Sequence, residues 1–146
     1  MEFWIKESLK QPLRDAGLLF ARVSIGLLML IEHGWPKLAN FSERAETFSD
    51  PLGVGSQMSL TLAVGAEVFA SILLILGLFT RAAAVPLIIT MAVIVFLVQA
   101  GNPFAEFRSR ELALLFGFTY MMFFLTGPGR FSLDHFLEKW WNRRNA

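Results

Sequence analysis

"LLFARVSIGLLML", residues 18–30, is the stretch whose reading decides the fold. Without Arg22 it is the inside of a membrane-spanning helix. With Arg22, either the run lies outside a bilayer or the guanidinium has a reason to be inside one. Composition settles the first half of the choice. Hydrophobic residues make up 55% of the 146 and charged residues 17%, below the roughly 25% of soluble domains. The charges are also clustered, since between Gln57 and Gln99 only Glu67 and Arg81 carry one. That is a membrane distribution.

Several classes drop out early. A net charge of +1 and no basic patch interleaved with stacking aromatics point away from nucleic acid. The chain has no cysteine, which removes disulfides, thiolate nucleophiles, Cys-ligated zinc, iron–sulfur clusters and electron relays through CxxC pairs.

A hydrocarbon core of about 30 Å needs about 20 residues of helix. Four stretches approach this: about Ala16 to Ile31, then 58–79, 82–101 and the shorter 111–127. Gly34 and Pro36 are expected to stop the first, Gly77 and Arg81 to mark a tight turn, "GNPF" (101–104) to end the third and "GPG" (127–129) the fourth. Pro86 is expected in the first turn or so of the third helix, where a missing N–H costs least. The fold class that follows is all-α: an integral membrane four-helix bundle with interfacial terminal helices. It divides into an N-terminal interfacial segment (1–15), a four-helix domain (16–127) and an amphipathic C-terminal segment (128–146).

Four spans put both termini on one side. That side collects Lys6, Lys10, Arg14, Arg81, Arg130, Lys139, Arg143 and Arg144, against Lys37, Arg44, Arg108 and Arg110 on the other. The positive-inside rule then places both termini in the cytoplasm. The first span is expected to stay, since Arg22 interrupts it and no small-residue cleavage site follows. "SLDHFLEKWWNRR", 132–144, offers Ser132 as an N-cap, with Phe136, Trp140 and Trp141 at headgroup depth and Lys139, Arg143 and Arg144 facing anionic lipid.

An unpaired charge at mid-bilayer costs at least about 2.5–3.5 kcal/mol, so Arg22 should find a partner in the bundle interior. At about 1.5 Å per residue it lies roughly 9 Å from its membrane edge and Glu67, on the neighbouring antiparallel span, roughly 17 Å. The small residues around Glu67, among them Ala63, Gly65, Ala66, Ala70 and Ser71, let helices approach closely. An Arg22–Glu67 pair is therefore expected, either as a functional site or as glue between the first two helices. Arg22, Gly26, Met29 and His33 form one helical stripe. With Glu32, Lys37, Gln99 and Glu111 near its outer end, they outline a polar pocket leading down toward the pair. Such a pocket suits a molecule with a polar head and a hydrophobic body, a quinone or a lipid. His33 could exchange a proton with it, with Glu67 or Glu111 as relay; the alternative for His33 is an interfacial cap. Haem is not supported, because His33 and His135 fall on opposite sides. A metal site would draw on His33, Glu32 and Glu111, which lack any diagnostic spacing, so none is expected.

Three stretches carry a family resemblance: "RVSIGLLMLIEHGWPKL" (22–38), "EVFASILLILGLFTRAAA" (67–84) and "RELALLFGFTYMMFFLTGPGRFSLD" (110–134). In this order and spacing, over about residues 17 to 135, the chain resembles the DoxX family of small four-helix bacterial membrane proteins. The motif positions are Arg22, His33, Gly34 and Lys37, then Glu67 and Arg81, then Glu111, Gly127, Gly129 and Asp134. The resemblance implies an inner-membrane protein with cytoplasmic termini. Members are commonly labelled oxidoreductases, some linked to thiosulfate:quinone oxidoreduction and others to membrane complexes handling thiol or oxidative stress. The functional expectation is a quinone-interacting subunit of a membrane oxidoreductase system, with Arg22, Met29, His33, Lys37, Glu67 and Glu111 lining its site. Electrons would come from the quinone, a bound cofactor or a partner redox protein, because no redox centre is encoded. The alternative is a non-catalytic protein that binds, transports or scaffolds. The small-residue faces allow homo-oligomers without setting a number.

Overall fold

The computed structural model describes residues 7–99 and 107–145, which are helical with no strand among them. Four long helices form the bundle. The first runs from Glu7–Leu28 through a π-helical turn, Met29–Gly34, into Trp35–Ala39. The second comprises Ser56–Val64, a π turn at Gly65–Ala70, and Ser71–Leu76. The third is Thr80–Val93 with a last π turn at Ile94–Val98, and the fourth is Phe107–Thr126. A short helix, Phe41–Arg44, lies in the loop between the first two, and an amphipathic helix, Leu133–Arg144, closes the chain. The expected stop at 101–104 and residues 1–6 of the N-terminal segment lie outside the described residues.

The first three helices are long and apolar enough to cross a membrane. The fourth, 20 residues long, starts with charges at Arg108, Arg110 and Glu111 before its apolar run. Burial runs opposite to that of a soluble protein. Phe20, Phe69, Phe96, Phe118 and Leu125 stand exposed, whereas Asp15, Arg22, Glu67, Ser71 and Thr80 are buried. So much exposed apolar surface is stable only against lipid.

Register between the first two helices is set by glycine. A Cβ on Gly34 would lie 2.8 Å from the Glu67 carbonyl oxygen, one on Gly26 2.5 Å from Ile75, and one on Gly77 2.5 Å from the Arg22 guanidinium. The helices are thus antiparallel, with 34 beside 67, 26 between 71 and 75, and 22 beside 77. Further in, Met29, Ala70, Leu74, Leu87, Met91, Phe116, Tyr120 and Phe123 fill the core.

Two sequence expectations are corrected. Pro36 does not end the first helix, which continues to Ala39. The wide π turn just before it relieves the ring–carbonyl clash that makes proline a stop signal. Pro86 is not in the first turn of the third helix but at its seventh position. With no N–H to give to the carbonyl four residues back, it loosens the helix where it borders a cavity.

Gly34→Ala should destabilise the protein in mild detergent by about 1–3 kcal/mol, because the added carbon meets backbone and not a flexible side chain. Gly17→Ala, with nothing within 4 Å of the new carbon, should leave the melting temperature at or above that of wild type. Thermal unfolding of the purified variants compares the two.

Candidate functional site

The two buried charges that sequence reasoning joined are held at opposite ends of the bundle. Arg22, 1% exposed, donates from Nη1 to the Pro128 carbonyl (2.6 Å) and from Nη2 to the Phe131 carbonyl (2.8 Å). Glu67, also 1% exposed, pairs through Oε2 with Lys37 Nζ. The expected Arg22–Glu67 pair is therefore corrected. The glycine register puts Glu67 at the level of Gly34, twelve residues from Arg22, or roughly 18 Å along the helix. The estimate from span edges had half that gap, because it let the first helix begin at Ala16, whereas it begins before residue 8 and has no edge there.

Around Arg22 the terminal side of the bundle is tied together. Gly77 and Phe79 turn the chain in the left-handed region, at φ 68° and 49°. Gly127 and Gly129, at φ 76° and 75°, let the segment after the fourth helix fold back so that its carbonyls reach Arg22. Asp134 accepts from the Phe79 (2.7 Å) and Thr80 (3.0 Å) amides and so caps the third helix, while its own amide donates to the Gly77 carbonyl (2.9 Å). Buried Asp15 accepts from Gln11 and from the Arg130 amide, and Arg81 reaches the Leu125 carbonyl at 3.4 Å. Ser132 caps the last helix by accepting from the His135 amide at 3.2 Å. Arg22, Arg81, Gly127, Gly129 and Asp134 thus share a joint whose every polar contact is used for fastening.

The other end holds a cavity. About 450 Å³ opens between the second and third helices, with Ala63, Ala66, Pro86, Ile89, Val93 and Ile94 among its walls. Phe48, Ser49, Pro51 and Leu52 from the loop line it on one side, and Lys37 and Glu67 stand in its wall with Ser49, Ser59 and Thr90 as the other polar groups. The π turns of the first two helices, Met29–Gly34 and Gly65–Ala70, pack on one another here. Such turns concentrate at functional sites. Lys37 has three N–H groups, only one of which Glu67 occupies.

The remaining expected residues lie elsewhere. Met29 belongs to the packed core. His33 is half-buried, edge-on to Phe116 at 5.7 Å between ring centroids, and does not line the cavity. Glu111 is exposed on the fourth helix. Behind Glu67, Tyr120 is fully buried and stacked on Phe116, within electrostatic reach of that carboxylate. Its hydroxyl has no hydrogen-bond partner among the described residues. Among those residues no cluster of His, Cys, Asp and Glu is suited to a metal.

Sequence reasoning missed Asp50, which holds the cavity roof in place. One carboxylate oxygen accepts from the Val54 amide (3.0 Å) and Ser59 Oγ (2.7 Å), the other from the Gly55 amide (2.7 Å). The signal was available in "SDPLGVGS", 49–56, where an acid precedes two glycines and a helix start.

A family model, DoxX, matches residues 17–100, more than half of the chain. The chain belongs to the DoxX family. Its relatives include an uncharacterised protein of Haemophilus influenzae, 35% identical over 122 residues, covering 81% of this chain and 88% of the relative. An uncharacterised membrane protein of Mycobacterium tuberculosis is 35% identical over 86 residues, 50% of this chain and 52% of that one. The inner membrane protein YqjF of Escherichia coli is 28% identical over 136 residues, 90% of this chain and 99% of its own length. No solved structure matches. The DoxX match takes in Arg22 and the far end of the first helix, the Lys37–Glu67 pair and the 77–81 turn.

Two measurements test this geometry. The Ser59 and amide hydrogen bonds hold the Asp50 carboxyl below the usual carboxylate range. A depressed folded-state pKa means that these contacts stabilise the roof above the ordinary value and are lost as pH falls through the lowered one. Hydrogen exchange at the Val54 and Gly55 amides, corrected for the intrinsic pH dependence, should show protection at neutral pH that disappears in acid. Asp50→Asn should lose that protection at neutral pH. In the joint, Asp134→Ala should cost about 0.5–2 kcal/mol, the usual worth of a cap, read as a drop in melting temperature.

Proposed function

We propose that this DoxX-family membrane protein binds a membrane-soluble molecule with a polar head, a quinone, between its second and third helices, as the quinone-interacting subunit of a membrane oxidoreductase system. One observation carries the reading: a largely apolar cavity of about 450 Å³ whose wall contains an ion pair between half-buried Lys37 and buried Glu67. That volume lies within the range of small-molecule sites, which combine apolar walls with a few orienting polar groups. The ring carbonyls of a quinone need hydrogen-bond donors, and the two N–H groups that Lys37 does not give to Glu67 are of the right kind. When bound, a quinone supplies two-electron, two-proton redox chemistry. The chain's own residues do the rest. Lys37 Nζ orients a carbonyl oxygen, and Glu67 Oε2 holds the ammonium in place and can take up or release a proton. The apolar walls suit the ring and tail of such a molecule, and Phe48 and Leu52 line the cavity on its loop side. The cation excess on the terminal side, eight against four, supports cytoplasmic termini.

The rival reading makes the pair structural, in a protein that binds, transports or scaffolds without catalysis. Breaking a buried pair by removing one partner costs about 3–5 kcal/mol, whereas replacing both with apolar residues of similar size is often neutral. Lys37→Met/Glu67→Met therefore separates the two. Mass spectrometry of the gently extracted protein should find quinone, retained at least about tenfold less by Glu67→Gln, the worth of one good hydrogen bond. The double variant should lose the quinone while keeping its melting temperature. Wild-type protein that carries phospholipid but no quinone, or a double variant that still holds it, defeats the proposal.

A further inference from the structure

The C-terminal helix has two ends with different tasks. At its start everything is fastened: Ser132 and Asp134 are engaged in caps, and Arg22 holds the carbonyl of Phe131. Its polar side, with His135 and Glu138, borders the cleft beside the 79–82 turn. Among the described residues no element covers the opposite side. Phe136 is 64% exposed, Leu137 45%, Trp140 46% and Trp141 63%. At 100° per residue these four fall on one face, as residues 1, 2, 5 and 6 of a run of six do.

The charge on this helix is divided in the same way. Both acids, Asp134 and Glu138, sit in its first half or against the cleft. The second half, "KWWNRR" (139–144), holds three cations, two tryptophans and no acid. Arg144 lies over the Trp140 ring, 4.6 Å from its centroid, so that a guanidinium stands on the apolar face itself. In water that arrangement serves little. At a lipid surface it carries a cation to the depth of the phosphates while the indole rings enter the headgroup–acyl boundary. The place is right as well, since the helix begins seven residues after the fourth helix ends at Thr126 and is bonded to the turn between the second and third.

We propose that the second half of this helix is a docking surface for anionic lipid, lying on the leaflet that faces the termini. Tryptophan supplies depth there, and Lys139, Arg143 and Arg144 supply selectivity for negative headgroups. Because Asp134 and Arg22 tie the helix to the bundle, docking also fixes the joint against the membrane. The proposal is independent of what the cavity binds.

The test uses the full chain with Trp4→Phe and Trp35→Phe, leaving Trp140 and Trp141 as the fluorophores. It is reconstituted in vesicles of phosphatidylcholine, alone or mixed with phosphatidylglycerol. In the mixed vesicles, quenching by lipid spin-labelled at shallow depth should dominate over quenching by aqueous acrylamide, and added salt should weaken this preference. Changing Lys139, Arg143 and Arg144 to Gln should reduce docking about fivefold for each cation removed, without altering the melting temperature. Tryptophans equally open to acrylamide in both vesicle types overturn the proposal. So does protection that follows protein density instead of phosphatidylglycerol content, which would assign the face to a second copy of the chain. If the triple variant fails to fold, the comparison of the two vesicle types with unaltered cations decides.

Discussion

The closeness of the first two helices governs the rest of the molecule. Gly34 lets its backbone meet that of Glu67, and Gly26 receives the Ile75 side chain, both at distances no Cβ would permit, and dense packing is a main force joining helices in lipid, where hydrophobic burial gives none. That crossing sets the register, and the register sets which charges can meet. It carries Arg22 to the turn at Gly77, puts Glu67 beside Gly34, and leaves Lys37 as the cation within reach of the carboxylate.

Arg22 and Glu67 consequently have unlike surroundings. Arg22 gives both terminal nitrogens to backbone carbonyls, an arrangement that binds a chain segment, while its Nε has no partner among the described residues. Glu67 is paired with a lysine side chain at the edge of a cavity, and a lysine with N–H groups to spare can share its donors with a ligand. The same low-dielectric interior thus uses one ion for fastening and another where exchange is open. The π turns at Met29–Gly34 and Gly65–Ala70 widen the helices at that second level, and Pro86 loosens the third helix across from them.

How much of this could be read in the chain differs from residue to residue. The apolar runs, their number and the terminal amphipathic helix were legible, because hydropathy and its period are local properties. The motifs "GLFTRAAA" and "GPGRFSLD" were recognisable as pieces. Nothing in their spacing said that Asp134 of the second would cap the helix begun by the first. Arg22 and Glu67 were correctly singled out as buried charges and wrongly joined, since span edges judged from composition err by several residues and each residue moves a side chain about 1.5 Å. Tyr120 and Asp50 went unseen, one being a single aromatic in an aromatic helix and the other a loop acid.

By itself the sequence determined that this chain lives in a bilayer as helices, because roughly twenty consecutive apolar residues have no other stable place and lipid leaves the backbone no other partner than itself. Only the tertiary structure decided who pairs with whom. Partnership depends on axial register, and register comes from how glycines on one helix fit the backbone of another, a three-dimensional match with no signature in the order of residues along either one.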